Sequence, residues 1–230
     1  MNLLAFDTAT TACSAALWRG NTGGAGRVVA CALVAMARGQ SEALIPMIQG
    51  VLAEAETGFE ALDRLAVTVG PGAFTGLRIG LAAARGLALA SGLPITGITT
   101  FEAIAHAVDP AARAGQRLLV AIDAKRADVY AQLFDDALAP LSPPQSLLPE
   151  EVPTLLPRQS RGPVLLVGDG AARVAEVLPE LPRADAPGWP DAAHVAALAA
   201  ERPRESTAPA PLYLRPPQAV RPRHGGRLRP

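Results

Sequence analysis

The chain has 230 residues, half of them apolar and 18% charged, enough for a sizeable core in one or two domains of about 150 residues each. Formal net charge is zero and aromatics make up 4%, which argues against a protein that grips nucleic acid through its overall field or stacks bases on an aromatic face. Two cysteines, Cys13 and Cys31, cannot make a disulfide framework; both read as small core residues of a protein in a reducing cytoplasm.

Leu3 to Phe6 reads as a short buried strand closed by the turn-prone run Asp7-Thr8-Ala9-Thr10-Thr11. Cys13 to Trp18 and Arg27 to Ala35 read as two further strands around a Gly-rich hairpin turn, Gly20 to Gly26. Ser41 has the chemistry of an N-cap, and Leu44, Met47, Ile48, Val51, Leu52 and Ala55 recur at helical spacing, so residues 42–56 are expected as an amphipathic helix. Strand Leu65 to Val69 runs into Gly70-Pro71-Gly72-Ala73-Phe74-Thr75-Gly76 and a helix from about Leu77 to Ala90. That helix carries Gly80, Ala82, Ala83, Ala84, Gly86 and Ala88. Glycine costs about 1 kcal/mol in a helix interior, so such a surface implies something packed very close.

A strand at 94–98 and a helix at 100–108 complete a β–loop–α–β–α unit, hence an α/β layer. Leu118 to Asp123 and Asp128 to Phe134 pair around a turn, and the Pro-rich stretch 136–163 reads as an irregular loop with at most a short helix. Val164 to Val167 enters Gly168-Asp169-Gly170 and a helix near 171–178; Asp191 to Glu201 is a second helix with an acid at its start. Residues 204–230 hold six arginines, one acid and six prolines, and the end from about Gln218 is expected to be solvated and disordered.

Several chemistries drop out by subtraction. Lys125 is the only lysine, so no GxxxxGK[ST] phosphate loop exists. The histidines His106, His194 and His224 form no HExxH, and there is no CxxC or GxSxG; His106 reads as a residue of a helix surface or boundary. No run is long and apolar enough to span a membrane, and Met1 to Phe6 lacks the basic flank of a signal peptide.

Two constellations remain. Gly70, Gly72 and Gly76, with Thr75 and Arg78 at a helix start, could let backbone N–H groups approach a phosphate. Against that, the spacing is GxGxxxG, and the alternative is a tight turn that lets the small-residue helix dock. Asp7, Thr8 and Thr10 on a strand–turn–strand are what an actin-like or sugar-kinase-like fold uses at its first phosphate loop; the alternative is a structural turn. Asp123 and Asp128 read as turn chemistry with solvated charge.

Asp7 to Trp18, Gly70 to Gly80, Ala121 to Arg126, Val167 to Gly170 and Pro211 to Arg215 resemble the corresponding segments of the TsaB (YeaZ) family, over about residues 1–215. The resemblance implies an actin/Hsp70/sugar-kinase (ASKHA) fold with two RNase H-like lobes, mixed sheets flanked by helices. The expected division is 1–108, 109–217 and a basic tail, 218–230. It implies a non-catalytic, cytoplasmic subunit of the machinery that installs N6-threonylcarbamoyladenosine at position 37 of tRNAs reading ANN codons. Its partners would be the paralogous transferase TsaD and the ATPase TsaE, with a homodimer when alone, tRNA reached only through the complex, and no membrane.

By the same resemblance the chain alone holds no metal or cofactor, ATP being used by the complex, and it is not a protease. Leu44, Met47, Ile48 and Val51 of one helix and Leu77, Ile79, Gly80, Ala83 and Leu87 of the next become candidates for the partner interface. Asp7, Thr8 and Thr10 become a vestigial phosphate loop. Gln40 stands where many members have His, and the tail beyond Ala219 departs from the family pattern. An ATPase or small-molecule kinase using Asp7 and the Gly70–Gly76 turn, and a tRNA-binding module, are the alternative readings.

Overall fold

The first strand is apolar on both faces, so it needs a layer on each side. In a computed structural model, which describes residues 1–21, 25–156, 163–204 and 207–215, this strand, β1 (Asn2–Asp7), lies at the centre of a five-stranded sheet. β2 (Ala12–Gly20) and β3 (Gly26–Ala35) add to it as antiparallel hairpins, and β4 (Arg64–Gly70) and β5 (Ile95–Thr99) run parallel on the other side, giving the order β3-β2-β1-β4-β5. Leu4 and Phe6 face one core, built with helices α1 (Gln40–Glu54) and α2 (Phe74–Ser91); Leu3 and Ala5 face a second, closed by a helix from far along the chain. The two-residue period of a strand is what divides them.

α1 starts earlier than Ser41. Gly39, at φ +96°, is the N-cap, and the Ser41 hydroxyl turns to the Glu42 carboxylate instead. Leu44, Ile48, Val51 and Leu52 form its buried stripe, each worth about 1.5–3 kcal/mol on burial. α2 begins at Phe74, three residues before the expected Leu77, and ends on Gly92 at φ +73°. The exposed position of Cys31 corrects the expectation of two core thiols: only Cys13 is buried, because β3 is an edge strand and Cys31 faces outward from it.

A helix after β5, α3 (Thr100–His106), is capped by Thr99 and Glu102 bonding reciprocally, and a single turn, α4 (Pro110–Arg113), leads away. The second sheet repeats the first on a smaller scale. β6 (Arg117–Asp123), β7 (Val129–Phe134) and β8 (Gln145–Leu147) are antiparallel, β9 (Val164–Val167) is parallel to β6, and the order is β8-β7-β6-β9. The Pro-rich stretch holds the short helix it was expected to allow, a 3-10 turn over Pro149–Leu155, and also a strand, β8, that was not expected. α5 (Ala171–Ala175) is shorter than expected.

α6 (Ala192–Glu201) corrects the expected division of the chain. Its Ala192, Val195, Ala196, Ala199 and Ala200 pack against Leu3, Ala5, Ala16 and Trp18, so it belongs to the first lobe although it follows the second in sequence. Residues 207–215 then run along the first sheet and end on the second. Residues 218–230, expected as a disordered tail, lie outside the described residues.

Candidate functional site

Asp7 closes β1 and is fully buried. One carboxylate oxygen, Oδ1, accepts from the Thr68 hydroxyl and from the Ala9 N–H at 3.0 Å; Oδ2 has no partner among the described residues. Burial pushes the carboxyl up to about 7, against the pull of the Thr68 and Ala9 bonds and with a smaller push from Asp191. Thr8 is buried too and donates from Oγ1 to the Gly76 carbonyl at 2.7 Å. Thr10 is buried, and its carbonyl accepts from Gln40 Nε2 at 3.3 Å.

The glycine turn covers this cluster. A Cβ on Gly72 would lie 2.2 Å from the Ala9 carbonyl oxygen, and one on Gly76 would lie 2.0 Å from that of Thr8. Only glycine permits so close an approach of two backbones. The Ala73 N–H donates to Ala9 O at 2.7 Å, and a Cβ on Gly80 would meet Thr8 Oγ1 at 2.8 Å. Of the two readings of the motif, the geometry therefore favours the docking turn. Between the turn and the Asp7–Thr10 loop the two backbones are in direct contact at Ala9–Ala73 and Thr8–Gly76.

What remains at the surface of the turn is Thr75, Phe74 and Arg78. The Arg78 guanidinium lies 3.7 Å over the Phe74 ring, and Phe74, half exposed, meets Tyr213 at 5.5 Å between ring centres.

The interface candidates divide. Leu44, Ile48, Val51, Leu77 and Gly80 are buried in the chain's own first lobe and are corrected to core residues, because the apolar stripe of each helix faces its own sheet. Met47, Ile79, Ala83 and Leu87 are half-buried against that core. Apolar groups the sequence reading missed stand further out: Leu89 is 90% exposed, Ile45 42%, and Leu33 and Val34 are exposed on β3. Leu89 is out of phase with the buried stripe of α2, Ile45 sits at the margin of that of α1, and Leu33 and Val34 lie on the edge strand β3. Gly50 of α1 and Gly86 of α2 have nothing within 4 Å of a Cβ, so unlike Gly76 and Gly80 they answer to no contact inside the chain.

On the second lobe, Lys125 at φ +56° reaches back to Asp123 at 3.0 Å and Asp169 at 3.5 Å, and Arg173 holds Asp123 at 3.1 Å. Burial raises the Asp123 carboxyl, but the bonds from Lys125 and Arg173 outweigh it and leave it below the usual range. Asp128 meets Arg215 and Ser146, so the two aspartates fix turns, as the spacing implies, though Asp128 is buried rather than solvated. His106 stands at the C-terminal boundary of α3, as expected, half-buried, with its Nδ1 2.9 Å from His194 Nδ1, joining α3 to α6. Among the described residues, no group of three or more His, Cys, Asp or Glu is placed to hold a metal.

Two lobes, each a hairpin-led sheet with a parallel strand set beside its first strand and helices on its faces, define an actin/Hsp70/sugar-kinase-type fold. Residues 34–139 match the family model described as "TsaD: tRNA N6-adenosine threonylcarbamoyltransferase". The tRNA threonylcarbamoyladenosine biosynthesis protein TsaB of Escherichia coli K12 is 38% identical over 130 residues, 56% of this chain and 53% of that protein. An uncharacterized protein of Mycobacterium tuberculosis H37Rv is 34% identical over 222 residues, 94% of this chain and 93% of that one. The solved structure of YeaZ from Pseudomonas aeruginosa superposes with a TM-score of 0.75 at 28% identity, covering 92% of this chain and 99% of that one. The chain belongs to the TsaB (YeaZ) family. The alignments with the E. coli and Haemophilus influenzae TsaB proteins span about half of those proteins' length, 53% and 52%.

Proposed function

We propose that this chain is a non-catalytic scaffold and activator in the formation of threonylcarbamoyladenosine at position 37 of tRNAs reading ANN codons. It acts in the cytoplasm by pairing with a TsaD-type transferase, with a TsaE-type ATPase joining the pair, and it forms a homodimer when alone. The observation that carries the reading is the contrast between a sealed phosphate-loop region and an open helical face. Asp7, Thr8 and Thr10 are buried beneath the glycine turn, which supports a structural part for them. Ile79, Ala83, Gly86 and Leu87 meanwhile share one stripe of α2, half-buried or exposed, with Leu89 exposed beside it, and α1 leaves Ile45 and Gly50 exposed and Met47 half-buried. Small residues there permit close helix–helix approach, and the apolar ones supply area to bury. The names of the relatives and the TsaD-type model over residues 34–139 supply the pathway and the kind of partner.

Reconstitution tests this. Purified TsaC, TsaD and TsaE with tRNA, threonine, bicarbonate and ATP are expected to give modified tRNA only when this chain is added. Equal modification with and without it would remove the reading, and ATP turnover by the pure chain that is lost in Asp7→Asn would favour an enzyme instead.

A further inference from the structure

The last described segment touches both lobes within four residues. The Leu212 N–H donates to the Val69 carbonyl at 2.7 Å at the end of β4, and Tyr213 rests on Phe74 with its hydroxyl 3.4 Å from Arg78 Nε at the start of α2. Leu214 packs into the core between α3 and the second sheet, beside Phe101, Ile104 and Leu118. Arg215 pairs with Asp128, bonds Ser146 Oγ at 3.3 Å and lies 5.8 Å from the centre of the Tyr130 ring. The Asp128 side chain is largely buried and that of Arg215 is a quarter exposed, so losing the arginine would leave a buried carboxylate with the Ser146 hydroxyl alone beside it among the described residues. Upstream, Pro209 holds the same course, accepting from Arg85 at 3.1 Å.

Three peptide units separate Leu212 from Arg215, and they span at most about 10 Å when fully extended. There is little slack. If the lobes part, either the Val69–Leu212 bond and the Tyr213 contact break, or the Asp128–Arg215 pair does.

We propose that Leu212–Arg215 is a latch that fixes the angle between the lobes and couples the Arg215–Asp128 contact on the second lobe to the order of the α2 start, Gly70–Arg78, on the first. The latch stands whether or not a partner docks on α1 and α2. Coupling of this kind is reciprocal: an anchor lost at either end loosens the other.

Hydrogen exchange on the full chain tests it. Arg215→Ala is expected to speed amide exchange in peptides covering 69–78 about tenfold, the effect of losing one charge-assisted hydrogen bond. Tyr213→Ala is expected to speed exchange at 128–134 and 145–147 by a similar factor. Arg215→Lys, which keeps the charge but not the fork, should show the same pattern to a smaller degree and guards against an Ala variant that fails to fold. Exchange rising only beside each substituted residue, or rising uniformly over the chain in Arg215→Lys, overturns the proposal.

Discussion

Replacing Asp7 by Asn isolates the cost of sealing a carboxylate under the glycine turn. Burial moves its titration from 3.8 to about 7. At about 1.4 kcal/mol per pH unit, that interval amounts to about 4 kcal/mol of lost stability once the carboxyl is ionised in both states. The sign follows from which state holds the proton more tightly. Below pH 3.8 the folded and unfolded chains are both protonated and Asp7 costs nothing; between pH 3.8 and about 7 the unfolded chain gives up the proton that the folded chain keeps, so stability falls, and it levels off above about 7 where both are ionised. Between pH 5 and pH 8 the loss from this group is about 3 kcal/mol, or about 6–12 °C in Tm for a chain of this size. Asn keeps an oxygen for Thr68 and Ala9 but places an amide where Oδ2 has no partner, at about 1–3 kcal/mol. Asp7→Asn is therefore expected to be equal to or slightly below the parent at pH 5 and above it at pH 8.5. Thermal unfolding followed by circular dichroism at the two pH values measures this. Parallel pH curves for parent and variant would refute the burial argument, as would a variant less stable than the parent at pH 8.5.

The thiols should separate: an aromatic disulfide reagent is expected to label one cysteine in the native chain, Cys31, and both in denaturant, because Cys13 is buried and its thiol is pushed up to about 11. The His106–His194 pair should make the fold acid-sensitive. Burial and the neighbouring His194 hold His106 down at about 4, so its contribution is fully present above pH 6.5 and is lost as pH falls toward 4; His106→Gln should flatten Tm between pH 7 and 4.5. A Cβ on Gly86 meets no atom within 4 Å in the chain and arginine is the better helix former, so at concentrations where the chain is monomeric Gly86→Arg should raise Tm by about 2–4 °C for the ~1 kcal/mol gained. Arg64→Ala should lower Tm by several degrees, since that buried guanidinium bonds Thr96 and the carbonyls of Arg202 and Pro203, tying β4 to the end of α6.

Strands were readable because β1, β4, β6 and β9 are short apolar runs bounded by turn residues, a pattern that survives any tertiary context. The close approach demanded by Gly76 and Gly80 was readable in kind, yet its target was not: the nearby atoms belong to Thr8, far back in the sequence. The stripe Leu44, Ile48, Val51 has the same helical period whether it faces a partner or its own sheet, so spacing alone could not place it. α6 is a short Ala-rich helix with no address in its composition, and its seat on β1 and β2 depends on pairs such as Ala192 N–H with Ser14 Oγ, 178 residues apart. The strap at 207–215 has no regular period at all, and His106 and His194 meet across 88 positions.

Association with the transferase is where the account is most exposed. Sedimentation velocity of this chain mixed with a TsaD homologue, beside the same mixture made with Gly86→Arg, should give a one-to-one complex for the parent and separate species for the variant, although the variant itself is folded and at least as stable. Equal complex formation by both, or no complex with either, would contradict the assignment of the α1–α2 face as the surface through which the chain works.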